Sequence, residues 1–201
     1  LLQSDIKRLL AYSSIAQVGY MLVGLAAGTA YGFMGLFLHV FNHSMMKGMA
    51  FLASGSIVHE TGTRDINSLR GIGKMMPVTS ISLFIALLGL GGVPGTNGFI
   101  SKYHLFSAAF GSGLGWLGIM GVLNSALSMA YYIRIMQVLL GSPKEGFKAN
   151  EAPILMLTVT MAMAVIIVIL GIWPAPLISF ASSASQSLVE GLSTYIGAVL
   201  G

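Results

Sequence analysis

Long, mostly apolar stretches set apart by short polar and basic segments run the length of the chain. Four of them, residues 9–27, 33–58, 114–140 and 154–173, supply the roughly 20 residues that a helix needs to cross a bilayer. Residues 77–110 depart from the pattern. At ~1.5 Å rise per residue, one straight helix there would run roughly 50 Å, against a hydrocarbon core of about 30 Å. That is too long for one crossing and short for two. Its middle reads GLGGVPGTNGF, residues 89–99, and concentrates the glycine, proline and asparagine that stop helices. The pattern predicts two half-helices joined by an unwound hinge that includes Gly92, Pro94, Gly95 and Gly98.

Basic residues decide how the halves connect. If they form one broken crossing, Lys7, Arg8, Arg64, Arg70, Lys74, Lys144 and Lys148 all fall on one side; a hairpin returning to the same side splits them five against two. Loops on the cytoplasmic side carry the excess of Lys and Arg. The expected fold is therefore an all-α membrane protein of about five transmembrane helices, the third broken at mid-membrane, with basic loops cytoplasmic and the C-terminus outside. Trp116 and Trp173 then reach the outer interface, where amphipathic rings are favoured. Residues 177–201, rich in serine and carrying Glu190, are expected to form an interfacial helix appended to the bundle of residues 1–176.

Composition agrees with this class. Of 201 residues, 55% are hydrophobic and 8% charged, with mean hydropathy +0.85, whereas a soluble domain carries about a quarter charged residues. The absence of cysteine excludes a disulfide framework and a thiolate metal site. Thirteen methionines suit adaptable apolar packing. The chain begins Leu-Leu-Gln without the marks of a secretory leader, and it is expected to begin inside a longer protein.

Against this background the ionisable residues inside the apolar runs stand out. HVFNHSMMKG, residues 39–48, spaces His39, His43 and Lys47 four apart, which on a helix forms one slowly drifting stripe. Lys47 lies too deep in its run to snorkel, and a charged lysine at a bilayer centre costs at least ~2.5–3.5 kcal/mol. The stripe should face protein or water. Structural hydrogen bonding and a metal pair compete with a proton path, but no third ligand accompanies the histidines for zinc. Intramembrane ionisable groups are functional by default, which favours the proton path.

Lys102, in GTNGFISKYHLF, follows directly on the hinge. Burial and the positive end of a half-helix both disfavour its ammonium form, so it can release and regain a proton. Ser101, Tyr103 and His104 add donors and acceptors nearby, and a discontinuous helix is how many transporters build an ion site. The competing reading is a lysine paired structurally with a neighbouring subunit.

Other motif matches carry less. GLGWLG, residues 113–118, fits a dinucleotide fingerprint but lacks the preceding strand and the acidic partner; small residues there serve helix packing. Asn42-His-Ser is a glycosylation acceptor only formally, being inside a membrane helix. SDIKR, residues 4–8, reads as a helix start, and Arg134 as an interfacial anchor.

The segments QSDIKRLLAYSSIAQVGYM, HVFNHSMMKGMAFLASGSI, TGTRDINSLRGIGKMMPVT and GVPGTNGFISKYHLF together resemble the antiporter-like subunits of respiratory complex I, energy-converting hydrogenases, the deazaflavin-dependent dehydrogenases of methanogens and Mrp sodium/proton antiporters. The resemblance runs from Gln3 to about Trp173. It implies a fourteen-helix fold of two inverted repeats, of which this chain resembles the last five helices. It also implies that Lys102 is the terminal proton-exchange group, and that His39, His43 and Lys47 belong to a horizontal polar axis. Some branches have glutamate where this chain has Lys102, while LNSALSMAYYIRIMQVL, residues 123–139, is most similar to the complex I subunit-two-like branch. The first repeat of the family is absent.

The expected function is proton translocation by a redox-centre-free membrane-arm subunit of a quinone-type, deazaflavin-dependent or hydrogenase complex. The alternatives are a sodium/proton antiporter subunit and a structural membrane-arm subunit without its own proton path. No cofactor and no nucleic acid are expected. The expected partners are other membrane-arm subunits of a redox-driven pump, the N-terminal half of the same subunit and lipid, in a multi-pass protein of a prokaryotic cell membrane.

Overall fold

The computed structural model describes residues 3–143 and 148–200; Lys144, counted among the basic loop residues, lies outside them. Local chemistry marks each helix boundary. Asp5 accepts the Arg8 amide at 3.0 Å and starts α1, Ile6–Ala26. Thr29 Oγ1 does the same for Gly32 at 3.1 Å and starts α2, Ala30–Thr61, which ends on Gly62 in the left-handed conformation, φ 69°. Two 3-10 turns, Ile66–Leu69 and Ile72–Lys74, lead into α3, Pro77–Gly91, with proline at its first position. Then follow α4, Asn97–Gly111; α5, Gly115–Leu140; α6, Ile154–Ile172; and α7, Ala175–Leu200.

The interruption expected around Pro94 is present, because α3 stops at Gly91 and α4 starts at Asn97. Gly92, at φ 83°, caps α3 together with Val93, whose amide reaches back to Leu88 O at 3.1 Å. At 15 residues each, the halves are about 22 Å long. A second bend has no counterpart in the sequence pattern: the 3-10 segment Ile66–Lys74 meets α3 at 116°.

Among the described residues, α1, α5 and α6 are long and apolar enough to cross a membrane. The longest helix, α2 at 32 residues, carries His39, His43 and Lys47 and forms the centre of the bundle, touching α1, α3, α4, α6 and α7. Its Met46, Met49, Ala50, Ala53 and Ile57 pack with Leu83, Leu87 and Leu90 of α3, Leu10 of α1, Ile135 of α5 and Ile167 of α6. Leu177, Ile178 and Ala181 dock α7 on Met34, Phe37 and Leu38 near the start of α2.

The described basic loops gather at one end. Ile6 N donates to Arg64 O at 3.0 Å and Ile66 N to Ser4 O at 2.8 Å, joining the start of α1 to the chain after α2. Gly71 N donates to Val138 O at 3.0 Å, which brings the end of α5 there. Glu151 adds the start of α6: its carboxylate accepts the Val78 amide at 2.8 Å, the Thr79 amide at 3.3 Å and the Thr79 hydroxyl at 2.5 Å. It thus caps the positive end of α3 from another element.

Candidate functional site

The site begins with a carbonyl that has no partner in its own helix. Leu90 O would accept the amide of residue 94 if α3 continued, but Pro94 has no N–H. Two side chains take that carbonyl instead. Lys102 Nζ donates to it at 2.6 Å and Gln17 Nε2 at 3.1 Å. Lys102 also donates to Ser125 Oγ at 2.8 Å, and Ser125 in turn donates to Gly91 O at 3.1 Å. The ammonium lies 4.9 Å from the centre of the Tyr20 ring, a cation–π contact.

Gln17 extends the network to α2. Because its amide nitrogen is committed to Leu90 O, its Oε1 faces His39 Nε2 at 3.0 Å and must accept from it. His39 Nδ1 lies 2.9 Å from Ser101 Oγ. When His39 is neutral, Ser101 donates to Nδ1. When His39 is charged, Nδ1–H donates and the serine hydroxyl turns to Gly98 O, 3.2 Å away. Both protonation states are satisfied without moving a heavy atom.

His43 stacks on His39 with ring centroids 6.3 Å apart, and its Nε2 has no protein partner. Lys47 Nζ donates to Leu10 O at 2.8 Å and to Ser13 Oγ. His39, Lys47 and Lys102 are 0%, 5% and 4% exposed. His43 lies one helical turn from both His39 and Lys47 on α2, and Lys102 meets His39 through Leu90 O and Gln17. The four groups therefore form a line in which each neighbouring pair repels when both members carry a proton. The His59–Glu60 ion pair lies on the surface, and both buried ammonium groups are held by neutral acceptors.

Of the residues singled out from the sequence, Lys102, His39 and Ser101 join through Gln17 and the Leu90 carbonyl, and His43 and Lys47 continue the stripe along α2. Gly92 closes over the Lys102 side chain, and Gly98 packs so tightly on Gly89 O and Met46 that no side chain fits. Pro94 and Gly95 lie in the exposed part of the hinge. Tyr103 and His104 stand outside the hydrogen-bonded network. Tyr103, 58% exposed, lines a largely apolar groove of about 690 Å³ between α4 and α5 with Phe99, Phe106 and Phe110, a groove that Lys102 and Ser125 also line, while His104 Nδ1 pairs with Tyr31 OH at 2.7 Å.

Sequence reasoning missed Gln17, Tyr20 and the pair Asn42–Asn97. Asn42 Nδ2 donates to Asn97 O at 2.8 Å and Asn97 Nδ2 to Asn42 Oδ1 at 3.0 Å, locking the first turn of α4 to α2. The available signal was a lone amide in each apolar run, AQVGY and VFNHS.

Comparison with known proteins supplies an independent view. The sequence profile of the family described as NADH:quinone oxidoreductase/Mrp antiporter, TM, matches residues 1–128. The chain is 34% identical over 197 residues to F(420)H(2) dehydrogenase subunit N of Methanosarcina mazei, covering 93% of this chain and 40% of that protein. It is 36% identical over 184 residues to NADH-quinone oxidoreductase subunit N of Geotalea uraniireducens, covering 91% and 39%. A chain of the Mrp complex from Dietzia sp. DQ12-45-1b superposes with TM-score 0.89 at 22% identity, covering 100% of this chain and 46% of its own, and so shares the fold. The chain spans about 40% of the length of the curated relatives it matches.

Proposed function

The chain belongs to the NADH:quinone oxidoreductase/Mrp antiporter transmembrane family, and we propose that it moves protons across the membrane as a redox-centre-free part of a membrane-arm subunit. The observation that carries this reading is the hydrogen-bonded connection from Lys102 through Leu90 O and Gln17 to His39 and Ser101. A purely structural lysine needs a fixed partner, but it does not need a histidine with both protonation states provided for.

The mechanism follows from the line of repelling neighbours. A proton arriving at Lys47 or His43 raises the cost of a proton on His39, and a proton on His39 raises the cost of one on Lys102. The charge at one end thus drives release at the other. Gln17 carries no proton in this scheme; it fixes the orientation of His39 and keeps Leu90 O bonded when Lys102 is neutral. Sodium antiport is less well supported, because the hinge carbonyls of Leu90 and Gly91 are already engaged by Lys102, Gln17 and Ser125. In this reading the basic loops face the cytoplasm, α3 and α4 form one crossing broken near mid-membrane, α7 lies in the outer interface, and the partners are other membrane-arm subunits of a redox-driven pump.

Lys102→Arg tests the proposal, since arginine keeps the charge but holds its proton. Lys102→Arg and Lys102→Ala are expected to assemble yet translocate poorly, and Lys102→Glu to retain part of the activity. The measurement is protons moved per turnover in reconstituted vesicles, with electron transfer recorded separately. Wild-type stoichiometry in the arginine variant would leave Lys102 a structural cation.

A further inference from the structure

A second polar space lies along α1, against α5. Between α1 and α5 is a cleft of about 170 Å³ whose lining includes Gln3, Tyr12, Ser13, Asn124, Ser128 and Tyr131. At about 30 Å³ per molecule it has room for on the order of five waters. Beside Leu9 and Ala16, its walls carry hydroxyls and amides that can hold them. Gln3 stands at one end, beside Asp5, whose amide donates to Gln3 Oε1 at 3.0 Å. That is the end at which the basic loops gather.

The cleft reaches the immediate partners of both buried lysines. Ser13, in its wall, accepts from Lys47 Nζ and donates to Leu10 O at 2.9 Å. Asn124, also in the wall, donates to Tyr20 OH at 3.1 Å, and the Tyr20 ring is the one against Lys102. Tyr132 of α5 is fully buried and its hydroxyl has no protein partner.

We propose that the α1–α5 cleft is the aqueous access to Lys47 from the face that bears the basic loops, and that Ser13 passes the proton between them. This rests on the proton-translocation reading and adds to it an opening away from the hinge. On release, the Lys47 N–H bond breaks and its proton moves onto Ser13 Oγ, while the serine hydroxyl proton passes to a cleft water. The products are a neutral amine, an unchanged serine and a hydronium ion that hands its proton to bulk water. Serine must turn from Leu10 O to do this. Uptake is the reverse.

The chain contains no cysteine, so substituted cysteines give unique labels on it. In the assembled complex in oriented vesicles, the membrane-impermeant sulfonate reagent MTSES is added to the basic-loop face. Ala16→Cys, in the cleft wall, is expected to react, and Ile15→Cys, its outward-facing neighbour at 70% exposure, is not. Ser13→Ala is expected to slow translocation at least about tenfold with the complex intact, and Ser13→Thr, which keeps the hydroxyl, to restore it. An unreactive Ala16→Cys, or wild-type transport in Ser13→Ala, overturns the inference. If Lys102→Arg still blocks transport, the proposed function survives that result; wild-type transport in Lys102→Arg is the outcome that defeats the proposed function itself.

Discussion

Gln17→Leu isolates what the amide contributes, because leucine nearly preserves volume while removing both hydrogen bonds. Leu90 O keeps its bond from Lys102 at 2.6 Å. His39 Nε2–H loses its acceptor in a fully buried position. One orphaned buried donor costs about 1–3 kcal/mol, and that sets the expected loss of stability. The same penalty falls on the orientation of His39 that allows exchange with Ser101, so translocation should fall by about 5- to 150-fold. Gln17→Glu is the companion variant. Its carboxylate would face Lys102 and His39, pair with whichever is charged, and hold the proton in place, so transport should again fall while thermal stability does not. The assays are thermal unfolding of the detergent-solubilised complex and proton flux in vesicles. Full flux in Gln17→Leu would show that the link between Lys102 and His39 is incidental.

Gly171→Ala should be disruptive despite its size, because a methyl group there would overlap Gly95 O and Thr96; overpacking of about 1–3 kcal/mol should appear as a lower unfolding temperature and a lower flux, and an unchanged variant would mean that α6 does not fix the hinge. Glu151→Ala removes the carboxylate that caps α3 and should cost about 0.5–2 kcal/mol, read by thermal unfolding, with Glu151→Gln intermediate because it keeps one acceptor oxygen; equal stability in all three would refute the capping role.

The helices were legible because their burial leaves long apolar runs, and the break because proline and glycine act locally. Lys102, His39 and Lys47 were legible because an ionisable group in an apolar run is costly unless protein or water surrounds it. Gln17 was not, since a single amide is common in membrane helices and the carbonyl it meets belongs to a residue 73 positions away. Tyr103 and His104 adjoin Lys102 in sequence, but each step along a helix turns about 100°. They consequently leave the face that Ser101 and Lys102 present to the bundle. The 116° bend before α3 falls between Lys74 and Pro77, and the segment leading to it is held by the bond from Gly71 to Val138 O, a long-range contact that local pattern does not announce.

The choice of neutral partners for the buried lysines bears on the chemistry. A carboxylate would stabilise the ammonium more strongly, but when the proton left it would remain as an uncompensated buried charge, a penalty of several kcal/mol that ties release to a second event. A carbonyl bears no such charge. Leu90 O stays bonded to Gln17 after Lys102 becomes neutral, and Ser125 can turn its hydroxyl from Gly91 O to the amine lone pair. Leu10 O is likewise shared, accepting from Ser13 as well as from Lys47, and regains the Ser13 bond once the serine has turned back after release. Pro94 is what makes the first arrangement available, because it removes the one amide that would otherwise have claimed Leu90 O within the helix. The break in the helix thus supplies an acceptor that can be shared by two donors and left by one of them, which is the property a proton-exchanging lysine requires and a purely structural one does not.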